Sequence, residues 1–152
     1  MTVRFNHMEL TYGRGALGAA VREDIGRFYG DVFGWRSRDA ELFGQTNFVL
    51  LCDETSQQFL LLAEVDDPIA APGLDHLGVA CDTPEEVDEI LERCRRHQEK
   101  DERVQLRVFE DLVTGPTTTH AFYVRYLLPI WIDVQCNTYE PGHEPAKVWT
   151  FG

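Results

Sequence analysis

A histidine set inside a strand-like run occurs twice in this chain, and each copy is followed by the same succession of elements. Residues 3–11 alternate well enough for a strand and carry His7; residues 74–81 read as a strand and carry His76, 69 positions later. After the first, residues 19–33 place Ala20, Ile25, Phe28, Tyr29, Val32 and Phe33 near helical spacing, and Gly34 supplies a stop. After the second, Thr83, Pro84 and Glu86 form a capping-box start, with Val87, Ile90, Leu91 and Cys94 on one helical face. Arg93, Arg95, Arg96 and His97 complement the dipole at that helix's end. Three strand-like runs follow each helix: residues 35–38, 46–52 and 57–65 in the first half, 104–109, 119–126 and 130–136 in the second. A period this long, seen only twice, is a duplication rather than a solenoid.

Strands that succeed one another without intervening helices favour antiparallel neighbours. The expected class is therefore α+β, with two similar mixed sheets. The 152 residues read as one domain made of a first module (3–66), a linker (67–73), a second module (74–138) and a polar tail (139–152) whose Trp149 and Phe151 dock on the body or a partner chain. Hydrophobic residues at 43% and aromatics at 11% suffice for a packed core.

A net charge of -12, from 26 acids against 14 bases, repels phosphate backbones and anionic lipid, so neither nucleic acid nor membrane is an expected partner. No apolar run approaches the roughly 20 residues needed to span a bilayer, and the first ten residues lack a signal-peptide pattern. Cys52, Cys81, Cys94 and Cys136 show no CxxC spacing, which points to a reducing, cytoplasmic setting.

Chemistry is concentrated in His7, His76 and Asp133. Asp133 is an ionisable group among Ile130, Trp131, Ile132 and Val134, and burial there requires a cation, an arginine or hydrogen-bond donors. Two imidazoles and one carboxylate make the facial set that holds non-haem Fe(II), and similar sets hold Mn, Zn or Ni. Taken singly, each has a plainer reading: a strand histidine hydrogen-bonded in the core, or Asp133 paired with Arg107 or Arg125. Their placement in equivalent elements of a repeat is what brings a metal into consideration.

Four segments in this order resemble the vicinal oxygen chelate superfamily, which includes glyoxalase I, bleomycin-resistance proteins and extradiol dioxygenases. They are Phe28-Tyr29-Gly30-Asp31-Val32-Phe33-Gly34-Trp35, Asp75-His76-Leu77-Gly78-Val79, Pro84-Glu85-Glu86-Val87-Asp88 and Phe122-Tyr123-Val124-Arg125. The resemblance covers residues 3–138. It implies two βαβββ modules whose sheets curve into a partly open barrel around a small-molecule site, in a homodimer. It also implies that His7 and His76 are first-strand ligands and that Asp133 stands where the last strand supplies a glutamate.

Tyr123 matches the active-site tyrosine of ring-cleaving dioxygenases, or is an aromatic strand residue with a hydrated hydroxyl. Where glyoxalases take a fourth ligand from the last strand of module one, spacing points to Gln58, the internal repeat to Glu64, and the hydrophobic pattern to a leucine. That strand also lacks the dioxygenases' acid–base histidine; His120 is the candidate substitute, with a surface role as the alternative. Phe48, Gln58, Phe59 and Trp131 are candidate pocket residues, and the apolar Tyr126-Leu127-Leu128-Pro129 replaces the family's Asp-Pro-Asp-Gly turn, lining a pocket or packing at a dimer interface.

The function implied is a dioxygenase-like enzyme holding Fe(II) or Mn(II), with Zn or Ni as alternatives, acting on a small substrate with two vicinal oxygens. Competing readings are a glyoxalase-type lyase or isomerase, a metal-free protein that sequesters a small molecule, and a dimeric scaffold.

Overall fold

The structure, a computed structural model, describes residues 3–53 and 57–146. In chain order the first module holds β1 (His7–Gly13), α1 (Ala19–Phe33), β2 (Arg36–Leu42), β3 (Gln45–Leu51) and β4 (Phe59–Val65). The second holds β5 (His76–Ala80), α2 (Pro84–Gln98), β6 (Gln105–Val108), β7 (Leu112–Thr114), β8 (Thr117–Arg125) and β9 (Trp131–Tyr139). One sheet has the order β1-β4-β3-β2; the other has β5-β9-β8-β6, with β7 also paired to β8. In each sheet the opening strand runs parallel to the closing strand, and the remaining pairs are antiparallel. Two mixed sheets with a helix after each opening strand are the α+β plan expected from the sequence, with no closed barrel.

Alternation along the strands divides each sheet into two faces. In module one, Leu10, Leu50, Leu60 and Leu62 are buried with Ile25, Phe28 and Val32 of α1, whereas His7 is exposed and Phe59 and Leu61 are half-buried on the opposite face. In module two, Phe122, Val124, Ile132 and Val134 pack with Val87, Leu91 and Cys94 of α2, and His76, Tyr123, Trp131 and Asp133 lie on the other face. One hydrophobic cluster joins the two modules.

The helices meet each other at this junction. Phe28 touches the rings of Tyr29, His97 and Tyr126. Arg93 of α2 donates to the Val32 carbonyl at 3.2 Å, satisfying an acceptor left open at the end of α1. Arg103 pairs with both Asp24 and Asp101, and Tyr126 donates to Asp101 at 2.7 Å, tying α1 to the end of β8.

The helix boundaries follow the sequence closely. Gly34 adopts φ 72°, the left-handed conformation that closes α1, and its N–H bonds the Gly30 carbonyl. Thr83 and Glu86 cap α2 reciprocally. Strand boundaries differ more. Residues 3–6 precede β1, which runs on through Tyr12 and Gly13, two residues past the expected strand of residues 3–11. β2 extends to Leu42 because it is a polar edge strand without apolar alternation, and β7 is a short exposed strand that no pattern announced. The tail's Trp149 and Phe151, and residues 54–56 of the turn after β3, lie outside the described residues.

Phe28 is 1% exposed and bridges both modules. Phe28→Ala is expected to lower stability by about 3–5 kcal/mol, with the unfolding of both modules still coincident by circular dichroism and tryptophan fluorescence. An early, separate transition would show that the modules do not share their core.

Candidate metal centre

The site is built on the parallel pair β5–β9, whose register sets His76 opposite Trp131 and Gly78 opposite Asp133. Since paired residues share a face, His76, Trp131 and Asp133 project together. Tyr123 pairs with Asp133 across β8–β9 and joins them. Glycine at position 78 puts no side chain of its own beside Asp133, and the Gln135 amide stands near that space, 3.8 Å from where a Cβ would be.

The His76 Nδ1 lies 2.7 Å from the Leu74 carbonyl oxygen. A carbonyl only accepts, so Nδ1 carries the hydrogen and the neutral ring's lone pair sits on Nε2. That Nε2 is 3.7 Å from Asp133 Oδ2 and 3.4 Å from the Tyr123 hydroxyl. Asp133 is 6% exposed, and its Oδ1 is buried with no hydrogen-bond partner. Burial raises the Asp133 carboxyl above the ordinary carboxylate range, and His76 opposes that shift. Burial, and then the charge of Asp133, likewise push the Tyr123 phenol up.

These features fit a cation. An orphaned buried carboxylate oxygen is costly unless a positive charge meets it. Two ligands each about 2.1 Å from one ion stand roughly 3.0–3.4 Å apart, and the 3.7 Å between His76 Nε2 and Asp133 Oδ2 is a few tenths wider. A carbonyl holding the far nitrogen of the imidazole is the support that orients ligating histidines.

His7 has the same preparation. Asn6 Nδ2 donates to the Gln57 carbonyl at 2.5 Å, which turns Asn6 Oδ1 toward His7 Nδ1 at 2.7 Å and leaves His7 Nε2 as the acceptor. Phe59 stacks on the ring at 4.8 Å. Yet His7 does not join His76 and Asp133: among the described residues, no three His, Cys, Asp or Glu side chains come together to hold a metal ion. Within one chain the structure unites two members of the expected trio.

Several other candidate residues occupy places away from His76 and Asp133. His120 lies on the helix side of β8, where it bonds Asp111 at 2.7 Å and Asp88 of α2 at 3.1 Å, and those carboxylates raise its pKa. Phe48 is buried under α1, its ring beside Gly26, and walls no pocket on the histidine face. Glu64 turns to the N-terminal side of α1 and accepts the Leu17 N–H at 2.7 Å. Gln58 precedes β4 and donates to the Phe5 carbonyl. The register position in β4 that matches Asp133 is Leu61, so β4 offers no carboxylate there, although Glu9 of β1 is paired with Leu61. Phe59 and Trp131 do lie beside His7 and His76.

Sequence reasoning missed Asn6, whose place directly before His7 was the available signal, and Phe109, packed edge-on against Tyr123 at 5.0 Å. Arg107 and Arg125, the candidate partners of Asp133, both lie over the Trp131 ring instead.

A family model described as Glyoxalase/Bleomycin resistance protein/Dioxygenase superfamily matches residues 22–124. No curated protein matches the sequence. Among solved structures, the fosfomycin resistance protein FosX from Listeria monocytogenes superposes with a TM-score of 0.63 at 16% identity, covering 91% of this chain and 94% of its own. Another crystal of that protein holds Mn(II) and sulfate. A virulence protein from Salmonella typhimurium gives 0.56 at 17% identity, covering 90% and 98%. A glyoxylase/bleomycin resistance protein/dioxygenase domain from Frankia sp. gives 0.58 at 15%, covering 94% and 96%. At these identities the likeness is one of fold. Among the described residues, no helix is long and apolar enough to cross a membrane.

Module one already accommodates leucine where module two has Asp133. In metal-free protein, Asp133→Leu is expected to raise stability by about 1–3 kcal/mol, because it removes an unsatisfied buried oxygen. Urea denaturation with chelator present measures this, and a destabilised variant would mean that the carboxylate is satisfied.

Proposed function

The chain belongs to the glyoxalase/bleomycin resistance protein/dioxygenase superfamily, and from that membership we propose that it is a divalent-metal enzyme acting on a small molecule with two adjacent oxygens. One observation carries the reading: a buried carboxylate oxygen without a partner, beside an imidazole whose Nε2 bears the lone pair. His76 and Asp133 are two ligands, and His7 of a second copy is the third. Supporting this, His7 has its Nδ1 committed to Asn6 and its ring on an open sheet face, with no ligand set around it among the described residues of its own chain. A twofold dimer then contains two equivalent centres. The N₂O donor set suits Fe(II) or Mn(II), with Zn and Ni as alternatives.

The ion, when bound, supplies Lewis acidity that lowers the pKa of a substrate hydroxyl and stabilises the charge developing on its oxygen. The chain's own residues do the rest. Tyr123, 3.4 Å from His76 Nε2 and held protonated by burial, is placed to give a hydrogen bond or a proton to the substrate. Trp131 forms the floor next to His76. His120 is on the far side of the sheet, so the acid–base partner that ring-cleaving oxygenation needs is lacking there. The arrangement favours proton transfer, isomerisation or addition at the chelated oxygens.

Metal analysis and Mn(II) electron paramagnetic resonance test the proposal. One ion per chain is expected, lost in His76→Ala and Asp133→Asn and retained in Tyr123→Phe. His7→Ala and Asp133→Asn chains, each unable to hold the ion alone, should regain about a quarter of the sites when refolded together in equal amounts. No recovery would exclude the shared centre. A wild-type protein that binds no metal yet retains a small aromatic ligand would instead favour sequestration.

A further inference from the structure

Arg107 in β6 and Arg125 in β8 leave the sheet on the same face as His76, Tyr123 and Asp133: Arg107 pairs with Tyr123, and Arg125 with Gln105. Their guanidinium carbons stand 5.4 and 4.7 Å from the centroid of one ring, that of Trp131. Among the described residues neither forms an ion pair. Arg125 donates to the neutral Gln105 side chain at 2.8 Å, and Arg107 has the ring contact alone.

The chain has 26 acids against 14 bases, yet only some of its arginines meet a carboxylate, and Arg38 and Arg96 form no ion pair among the described residues either. Arg14, Arg22, Arg27, Arg93, Arg95 and Arg103 each find a carboxylate. Two cations sharing one indole repel each other, and the ring's quadrupole compensates each only weakly. Asp133, on the same face, is turned to His76 and does not neutralise them. A guanidinium lying over a ring keeps its edge N–H groups free, and that edge is what grips a carboxylate or phosphonate in bidentate fashion. Arg125 and Gln105 also border an open groove of about 500 Å³, with Tyr12, Leu127 and Pro129, and Arg107 is exposed.

We propose that Arg107 and Arg125 bind the charged group of the substrate, so that the molecule handled at His76 and Asp133 is a small organic anion. The location of its chelating oxygens rests on the metal-enzyme reading; the capture of its anionic group does not. In a protein of net charge -12, this local excess of positive charge is also what lets an anion approach against the overall field.

Chelator-treated protein, titrated calorimetrically at low ionic strength with methylphosphonate, acetate and 1,2-propanediol, tests the anion half without metal. Methylphosphonate and acetate are expected to bind and the neutral diol not. Arg107→Gln and Arg125→Gln should each weaken the anions roughly tenfold, while Mn(II) affinity, measured separately, holds or rises as positive charge is removed. Should a glutamine variant fail to fold, Arg107→Lys and Arg125→Lys keep the charge but lose the fork, and a weakening of roughly threefold is expected. Anion affinity unchanged in the variants, or no greater than that of the diol, overturns the proposal. Anion binding that depends on both arginines in a protein that takes up no Mn(II) upholds it and overturns the metal reading instead.

Discussion

The site depends on one pairing, the parallel contact between the strand that opens each module and the strand that closes it. Parallel neighbours need a crossover, and the helix that makes it covers one face of the sheet. The strand alternation then has a single low-energy solution: Leu60, Leu62, Ile132 and Val134 under the helices, the polar and aromatic residues on the other side. His7 and His76 begin their strands beside Phe59 and Trp131, and Asp133 follows two residues after Trp131, on the same face. A slip of one residue would carry Asp133 beneath α2 and expose Ile132 and Val134, so the apolar residues that are not part of the site hold it in register.

The modules share this frame and differ in what it presents. From the opening histidine to the matched position on the closing strand, module two is three residues longer, and the extra chain lies in the segment containing β7. Here the sequence ceased to be legible. Helix ends were readable because Gly34 and Thr83 each have a local mechanism, and the strand histidines and Asp133 stood out as polar residues in apolar runs. Register was not readable, because it is decided by a partner strand far away in the chain. Projecting Asp133 back by the histidine spacing reaches Glu64, three residues past Leu61, and an odd displacement exchanges faces. Glu64 consequently serves the entry to α1 through the Leu17 N–H. Phe48 was obscure for a related reason: Phe48, Val49, Leu50 and Leu51 are all buried, so β3 shows no alternation from which to choose a face. The threonine run before His120 gave no alternation either.

The separation of His7 from His76 and Asp133 was also beyond the sequence. Each sheet turns its histidine-bearing face away from its own helix, because the alternating leucines, isoleucines and valines of the other face pack beneath that helix. Asp133 bears the consequence as a buried oxygen without a donor, a cost retained where packing alone would choose leucine, as it does at position 61. Natural chains break local rules of this kind chiefly where function requires it.

Association of two such chains works against their charge, since each carries -12 and like-charged surfaces repel. Apolar surface must offset this, and module two exposes it near the site: Val108, Phe109, Leu112 and Val113, the last 67% exposed, on the β6–β7 segment that lengthens this module. A divalent ion held jointly by His76, Asp133 and a second copy's His7 would add a bond across the interface and remove a buried unpaired oxygen at the same time. Under the proposed shared centre, metal uptake and pairing would be one equilibrium, because each ligand set would gain its missing member only when the other chain arrives. Preset tautomers at both histidines reduce what must be ordered at that step: the Asn6 amide and the Leu74 carbonyl already hold each Nδ1, so both Nε2 lone pairs are in place before the chains meet.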